Sequence, residues 1–175
     1  MTIEQSTPSD APKKPSVLRR VLGFVVALVV AGAVAYGINY FGSDAAQTKA
    51  GDCASLTGTS SDADFKTVDC GAPEANYTVG KVLSSTGESC GENYDQYTET
   101  ARRGPDSKLC LVPRLESGKC HDFDSTGMGY PVIECTASNA VMVKTVASEA
   151  ECADGKALAY TEPKTIYCLT APTES

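Results

Sequence analysis

Eight cysteines divide this chain into two four-cysteine frames set back to back. Cys53, Cys70, Cys90 and Cys110 are spaced 17, 20 and 20 apart, and Cys120, Cys135, Cys152 and Cys168 are spaced 15, 17 and 16 apart. Even cysteine sets outside the cytoplasm read as disulfide staples, and a frame that recurs in tandem reads as a duplicated module. The recurrence extends past cysteine. Gly51-Asp52-Cys53 matches Gly118-Lys119-Cys120, and Val68-Asp69-Cys70 matches Ile133-Glu134-Cys135. Asn76 and Asn139 then open apolar stretches over 77–83 and 140–146, and the repeats close on Cys110-Leu111 and Cys168-Leu169. The chain thus divides into repeat one, residues 51–113, and repeat two, residues 118–172.

Within each repeat the patterning predicts strand–strand–strand–helix–strand, a small disulfide-stapled α+β module. Residues 65–70, 77–83, 130–135 and 140–146 are rich in β-branched side chains and alternate in part, so they read as strands, with closing strands over 108–112 and 165–169. Residues 88–103 and 149–160 lack β-branched runs and carry helix formers, so they read as short helices, with Ser89 and Ser148 as capping candidates. A module of about 60 residues buries only about 60% of its unfolded surface. No tryptophan is present and eight Phe and Tyr lie beyond residue 42, which implies a thin core. A bridge closing a loop of about 15–20 residues contributes about 3 kcal/mol, chiefly through the unfolded chain. Four cysteines allow three pairings. The local set, Cys53–Cys70, Cys90–Cys110, Cys120–Cys135 and Cys152–Cys168, follows if neighbouring strands join the first pair and a helix on the last strand joins the second.

Ahead of the repeats, residues 21–41 form an uncharged, largely apolar run. A helix of 21 residues rises about 31 Å, close to the thickness of a hydrocarbon core. Lys13, Lys14, Arg19 and Arg20 precede it, and Tyr36 and Tyr40 sit near its far end. The positive-inside rule then predicts a single-pass cell-membrane protein, its N-terminus cytoplasmic and its C-terminal domain extracytoplasmic. Residues 1–20 are expected to be a disordered cytoplasmic tail and 42–50 a tether. A cleaved signal peptide, with Ala33-Val34-Ala35 as the processing site, is the alternative. Gly23, Ala27, Ala31 and Ala35 share one face of the span and offer a close-approach surface for a homodimer.

Residues 43–175 carry 11 Lys and Arg against 20 Asp and Glu, a net −9. Such a surface has no electrostatic attraction for nucleic acid. No two cysteines are closer than ten residues, which argues against zinc, whose sites use paired ligands such as C-x2-C. His121, the only histidine, lies beside Cys120 and reads as a surface residue next to a bridge; an activated Cys120–His121 thiolate is the competing reading. The stretch from Asp122 to Gly127 begins like a calcium loop, but Ile133 stands where the bidentate Glu is needed, so it reads as an acidic turn. Asn76-Tyr77-Thr78 has the form of a glycosylation sequon. No catalytic, cofactor or metal residue is identified.

The residues GDC, VDC, NYTV and CLVP, in that order, resemble the actinobacterial LppU-type envelope proteins over 51–172, and more distantly the extracytoplasmic septum-formation domain. This chain lacks the lipobox cysteine of the former. It also carries Glu74 where the latter often has histidine after Cys-x-x-Pro. The resemblance implies location and class rather than chemistry. The expectation is a non-enzymatic binding or scaffolding module of the cell envelope, with division as one setting and an envelope protein as partner. A thiol–disulfide redox protein and a small-ligand or cation-binding domain are the alternatives.

Overall fold

The structure is a computed structural model that describes residues 26, 28–34, 44–100 and 106–172. Repeat one contains β1 (Cys53–Thr59), β2 (Asp62–Val68), β3 (Tyr77–Leu83), β4 (Asp95–Glu99) and β5 (Ser107–Pro113). Repeat two contains β6 (Cys120–Asp122), β7 (Val132–Ile133), β8 (Ala140–Thr145), β9 (Lys156–Thr161) and β10 (Lys164–Thr170). Each forms a five-stranded antiparallel sheet, ordered β2-β1-β3-β5-β4 and β7-β6-β8-β10-β9. Strand for strand the two orders are the same. The entry loop is repeated as well: the Gly51 N–H bonds the Val79 carbonyl and the Gly118 N–H bonds that of Val143, both at 2.8 Å.

The α+β expectation is corrected to an all-β body, because both expected helices are edge strands. In place of a helix over 88–103, β4 pairs residue by residue with β5, from Asp95 opposite Leu111 to Glu99 opposite Ser107. In place of a helix over 149–160, β9 pairs with β10, and one 3-10 turn, Glu149–Glu151, is the only helical part. Alanine, leucine and lysine in 156–161 favour a helix by fractions of a kcal/mol per residue. Pairing with β10 satisfies the backbone equally and also buries Leu158 and Tyr160 on alternate positions. The unit is therefore five strands rather than β-β-β-α-β.

The four disulfides join Cys53 to Cys70, Cys90 to Cys110, Cys120 to Cys135 and Cys152 to Cys168. In each repeat the first ties the start of the first strand to the end of the second. The other ties the segment before the fourth strand to the fifth, where a helix had been expected.

Within the C-terminal unit (38–175) the two sheets share a core. Cys90, Tyr94, Cys110, Val112 and Leu115 pack with Val143, Leu158, Tyr160 and Tyr167. A second cluster, with Leu56, Phe65, Tyr77, Val79, Leu109 and Leu111, lies inside the curl of the first sheet. Part of the expected tether belongs to that cluster. Asp44–Gln47 forms a helical turn, α1, whose Ala45 is buried against it, and Thr48 bonds Thr67 at 2.8 Å.

Gly80 sets the fit between the sheets. The β3–β5 register slips between Val79 and Lys81, so Gly80 is an extra, bulged residue. In β8, Val143 runs directly into Lys144 with no such slip. The Glu162 carbonyl of the β9–β10 turn reaches the bulge so closely that a Cβ on Gly80 would lie 2.2 Å from it and 2.7 Å from the Tyr94 ring. Gly80→Ala is expected to cost about 1–3 kcal/mol by overpacking. Urea denaturation measures it, and a change below about 0.5 kcal/mol would show that the turn can move aside.

The expected transmembrane helix is also corrected. Residues 26 and 28–34 are helical and exposed. Among the described residues no helix is long and apolar enough to cross a membrane. The rest of the 21–41 run, the 1–20 tail, and Gly23, Ala27 and Ala35 of the expected dimer face lie outside the described residues.

Candidate functional site

The nine-residue loop between β6 and β7 (123–131) has no counterpart in repeat one, where Ser60-Ser61 alone turn β1 into β2. It reaches across to the first sheet. Met128 and Tyr130 pack on the cluster inside the curl, the Met128 N–H bonds the Gly58 carbonyl at 3.0 Å, and Phe123 packs on Tyr130 with ring centroids 4.6 Å apart. Gly129 takes φ +85, where a side chain would be strained, and a Cβ there would lie 2.9 Å from Asn76 Nδ2.

Where the loop lands, two phenols converge on one carboxylate. Tyr77 donates to Asp95 Oδ2 at 2.9 Å, and Tyr130 lies 3.1 and 3.0 Å from Oδ1 and Oδ2. Among the described residues no Lys or Arg pairs with Asp95. Burial, and then the Asp95 charge, push both phenols well above the usual tyrosine value, and the same two causes raise Tyr160. Tyr77 and Tyr130 stay neutral donors to the Asp95 carboxylate.

That shift gives the fold a pH limit with a defined sign. A phenol whose folded-state pKa is raised stabilises the fold fully below the unfolded value near 10, and the contribution is lost as pH rises above it, because the unfolded chain then releases the proton first. Thermal stability is expected to fall from about pH 10 upward. In a native absorbance titration at 295 nm, three of the eight tyrosines, Tyr77, Tyr130 and Tyr160, should ionise only with unfolding. Eight phenols titrating together near pH 10 in the folded protein would contradict this arrangement.

Asp95 lines the smaller of two contiguous depressions. One, of about 290 Å3, is lined by Leu56, Tyr77, Phe123 and Tyr130 among others, and the next, of about 540 Å3, by Asp62, Tyr97 and Glu99 among others. Leu56, Gln96 and Met128 belong to both, which makes one trough with aromatic walls and acidic groups. It suits an elongated ligand carrying a cation.

The residues singled out in sequence lie elsewhere or serve the frame. His121 is buried rather than superficial, at 1% exposure. Its Nε2 accepts from the Glu116 N–H at 3.1 Å and its Nδ1 donates to the Tyr130 carbonyl at 2.7 Å, the neutral tautomer protonated on Nδ1. The ring therefore fixes the base of the docking loop and bonds backbone rather than Cys120. All eight cysteines are paired. In the acidic turn, Asp122 Oδ1 accepts from the Asp124 N–H and Ser125 Oγ from the Gly127 N–H. Among the described residues no three His, Cys, Asp or Glu side chains gather to hold a metal ion. The sequon Asn76 is structural: its amide bonds both backbone groups of Leu56 at 2.8 Å, bridging to β1.

Sequence reasoning missed Asp95, Tyr77 and Tyr130. The alternation in 95–99 was a signal for the strand, but nothing local announced a meeting with a residue 35 positions away. No protein-family model, curated protein or solved structure matches this chain.

Proposed function

We propose that this protein is a non-enzymatic binding or scaffolding module of a bacterial cell envelope, with its two repeats outside the cytoplasm. The observation that carries the reading is the pairing of all eight cysteines into four bridges within one body. Disulfides of this density belong to oxidising compartments. The resemblance of residues 51–172 to LppU-type envelope proteins points to the same compartment. A frame stapled this way supports recognition by loops, and the 123–131 loop is the one that builds a trough.

The test is crosslinking in living cells, with a photoreactive residue placed at Gln96 of the full-length protein, followed by identification of what it captures. A reproducible envelope partner supports the reading. Reduced cysteines in the cellular protein, or a C-terminus accessible only from the cytoplasm, overturn it.

A further inference from the structure

The lining of the trough shows what shape of ligand it admits. Gln96, Tyr97, Thr98, Glu99 and Thr100 all border it, and so do Ser60, Ser61, Asp62 and Ala63. Successive strand residues point to opposite faces, so a hollow on a sheet face is lined by every second residue. Unbroken runs mean that backbone edges border this one. β2 and β4 are the outermost strands of their sheet, and the sheet curls far enough to stack Phe65 of β2 on Tyr97 of β4 with centroids 5.0 Å apart. The outer side of β4 has no strand partner among the described residues. That open edge borders the trough.

Charge narrows the ligand further. Asp62, Asp95 and Glu99 line the trough, and among the described residues no Lys or Arg does. Asp95 lines the trough with Leu56, Phe123 and Met128, and its carboxylate accepts from the Tyr77 and Tyr130 hydroxyls. A cation brought there meets a carboxylate already oriented and partly shielded from water. The bordering run from Gln96 to Thr100 spans about 17 Å, the reach of about five extended residues.

We propose that the trough binds an extended basic segment of a partner protein, which adds as a strand along β4 and delivers a Lys or Arg side chain to Asp95. Main-chain pairing supplies affinity, and the acid and its apolar walls select the side chain. This inference rests on the binding-module reading and names the class of partner.

The experiment titrates the full-length protein, in detergent micelles, into a fluorescein-labelled heptapeptide of alternating threonine and valine with lysine at its centre. Anisotropy is expected to show saturable binding. Replacing the central lysine by norleucine should weaken it at least about tenfold, and N-methylating alternate backbone amides should do the same, since strand addition needs those N–H groups. Asp95→Asn should bind the lysine and norleucine peptides equally. Gln96→Lys, an exposed position whose change leaves the core untouched, should weaken the lysine peptide and favour one with a central glutamate. Equal binding of the lysine and norleucine peptides by the unaltered protein overturns the proposal. So does indifference to N-methylation. Binding of n-butylammonium as tight as that of the peptide would make the trough a small-cation site instead. If no peptide binds while crosslinking still captures an envelope partner, this inference fails and the binding-module reading stands.

Discussion

Truncating Tyr94 to alanine is expected to lower the free energy of unfolding by about 3–5 kcal/mol, the range for a buried aromatic side chain. Total stabilities of small domains run to about 5–15 kcal/mol, so the loss would be a large fraction of the whole. Tyr94 lies just before β4 in repeat one, yet its ring meets Tyr160 edge-on with centroids 5.3 Å apart. Its hydroxyl accepts from the Thr161 N–H at 3.2 Å and the Glu162 N–H at 3.0 Å, and it lies 3.1 Å from the Glu162 carbonyl. One side chain thus organises the β9–β10 turn that sits over Gly80. Tyr94→Phe keeps the ring and removes the acceptor, leaving two N–H groups without their partner, which should cost about 1–3 kcal/mol. Urea denaturation followed by near-ultraviolet circular dichroism reads both variants. An alanine variant within about 1 kcal/mol of the parent would show that the repeats are held together elsewhere.

Converting Cys90 and Cys110 together to serine is the second large change, expected to cost about 2–5 kcal/mol and toward the upper end of that range. Loop length does not distinguish the bridges. Their separations are 17, 20, 15 and 16 residues, and the chain-entropy contribution is about 3 kcal/mol for each. Burial does distinguish them. Cys90 and Cys110 are 1% and 0% exposed, within the shared core, whereas Cys70 and Cys135 are exposed ends of the other type of bridge. Serine at the first pair adds the cost of burying two hydroxyls, about 1–3 kcal/mol each where no acceptor is supplied. The Cys53→Ser/Cys70→Ser variant should therefore retain more stability. Under limiting reductant, Cys53–Cys70 and Cys120–Cys135 should open before the other two, which alkylation and peptide mapping would follow. Equal losses from the two double variants would show that loop closure alone sets the contribution.

Residues 95–99 and 156–161 show where reading the sequence alone failed. Each is five or six residues of mixed propensity, and intrinsic preferences worth fractions of a kcal/mol lose to a strand partner already in place. The stretches that did read as strands, 77–83 and 108–112, are largely apolar and lie in the sheet interior, where the local pattern and the tertiary demand coincide. His121 is a failure of another kind. A lone polar residue beside a cysteine carries no local sign of burial, and it is buried because Glu116 and Tyr130 supply both of its hydrogen-bond partners.

What the amino-acid order determined unaided was the doubling, the acidic character of the body, and the intervals at which cysteines recur. Those intervals alone did not choose the pairing, since Cys70–Cys90 and Cys90–Cys110 span the same 20 residues. The tertiary structure alone decided that the repeats share a core, that a loop of the second reaches onto the first, and that Tyr77, Asp95 and Tyr130 meet. Partners 35 to 68 residues apart leave no trace in periodicity or propensity, since both describe a chain only over the few residues that one turn or one strand spans.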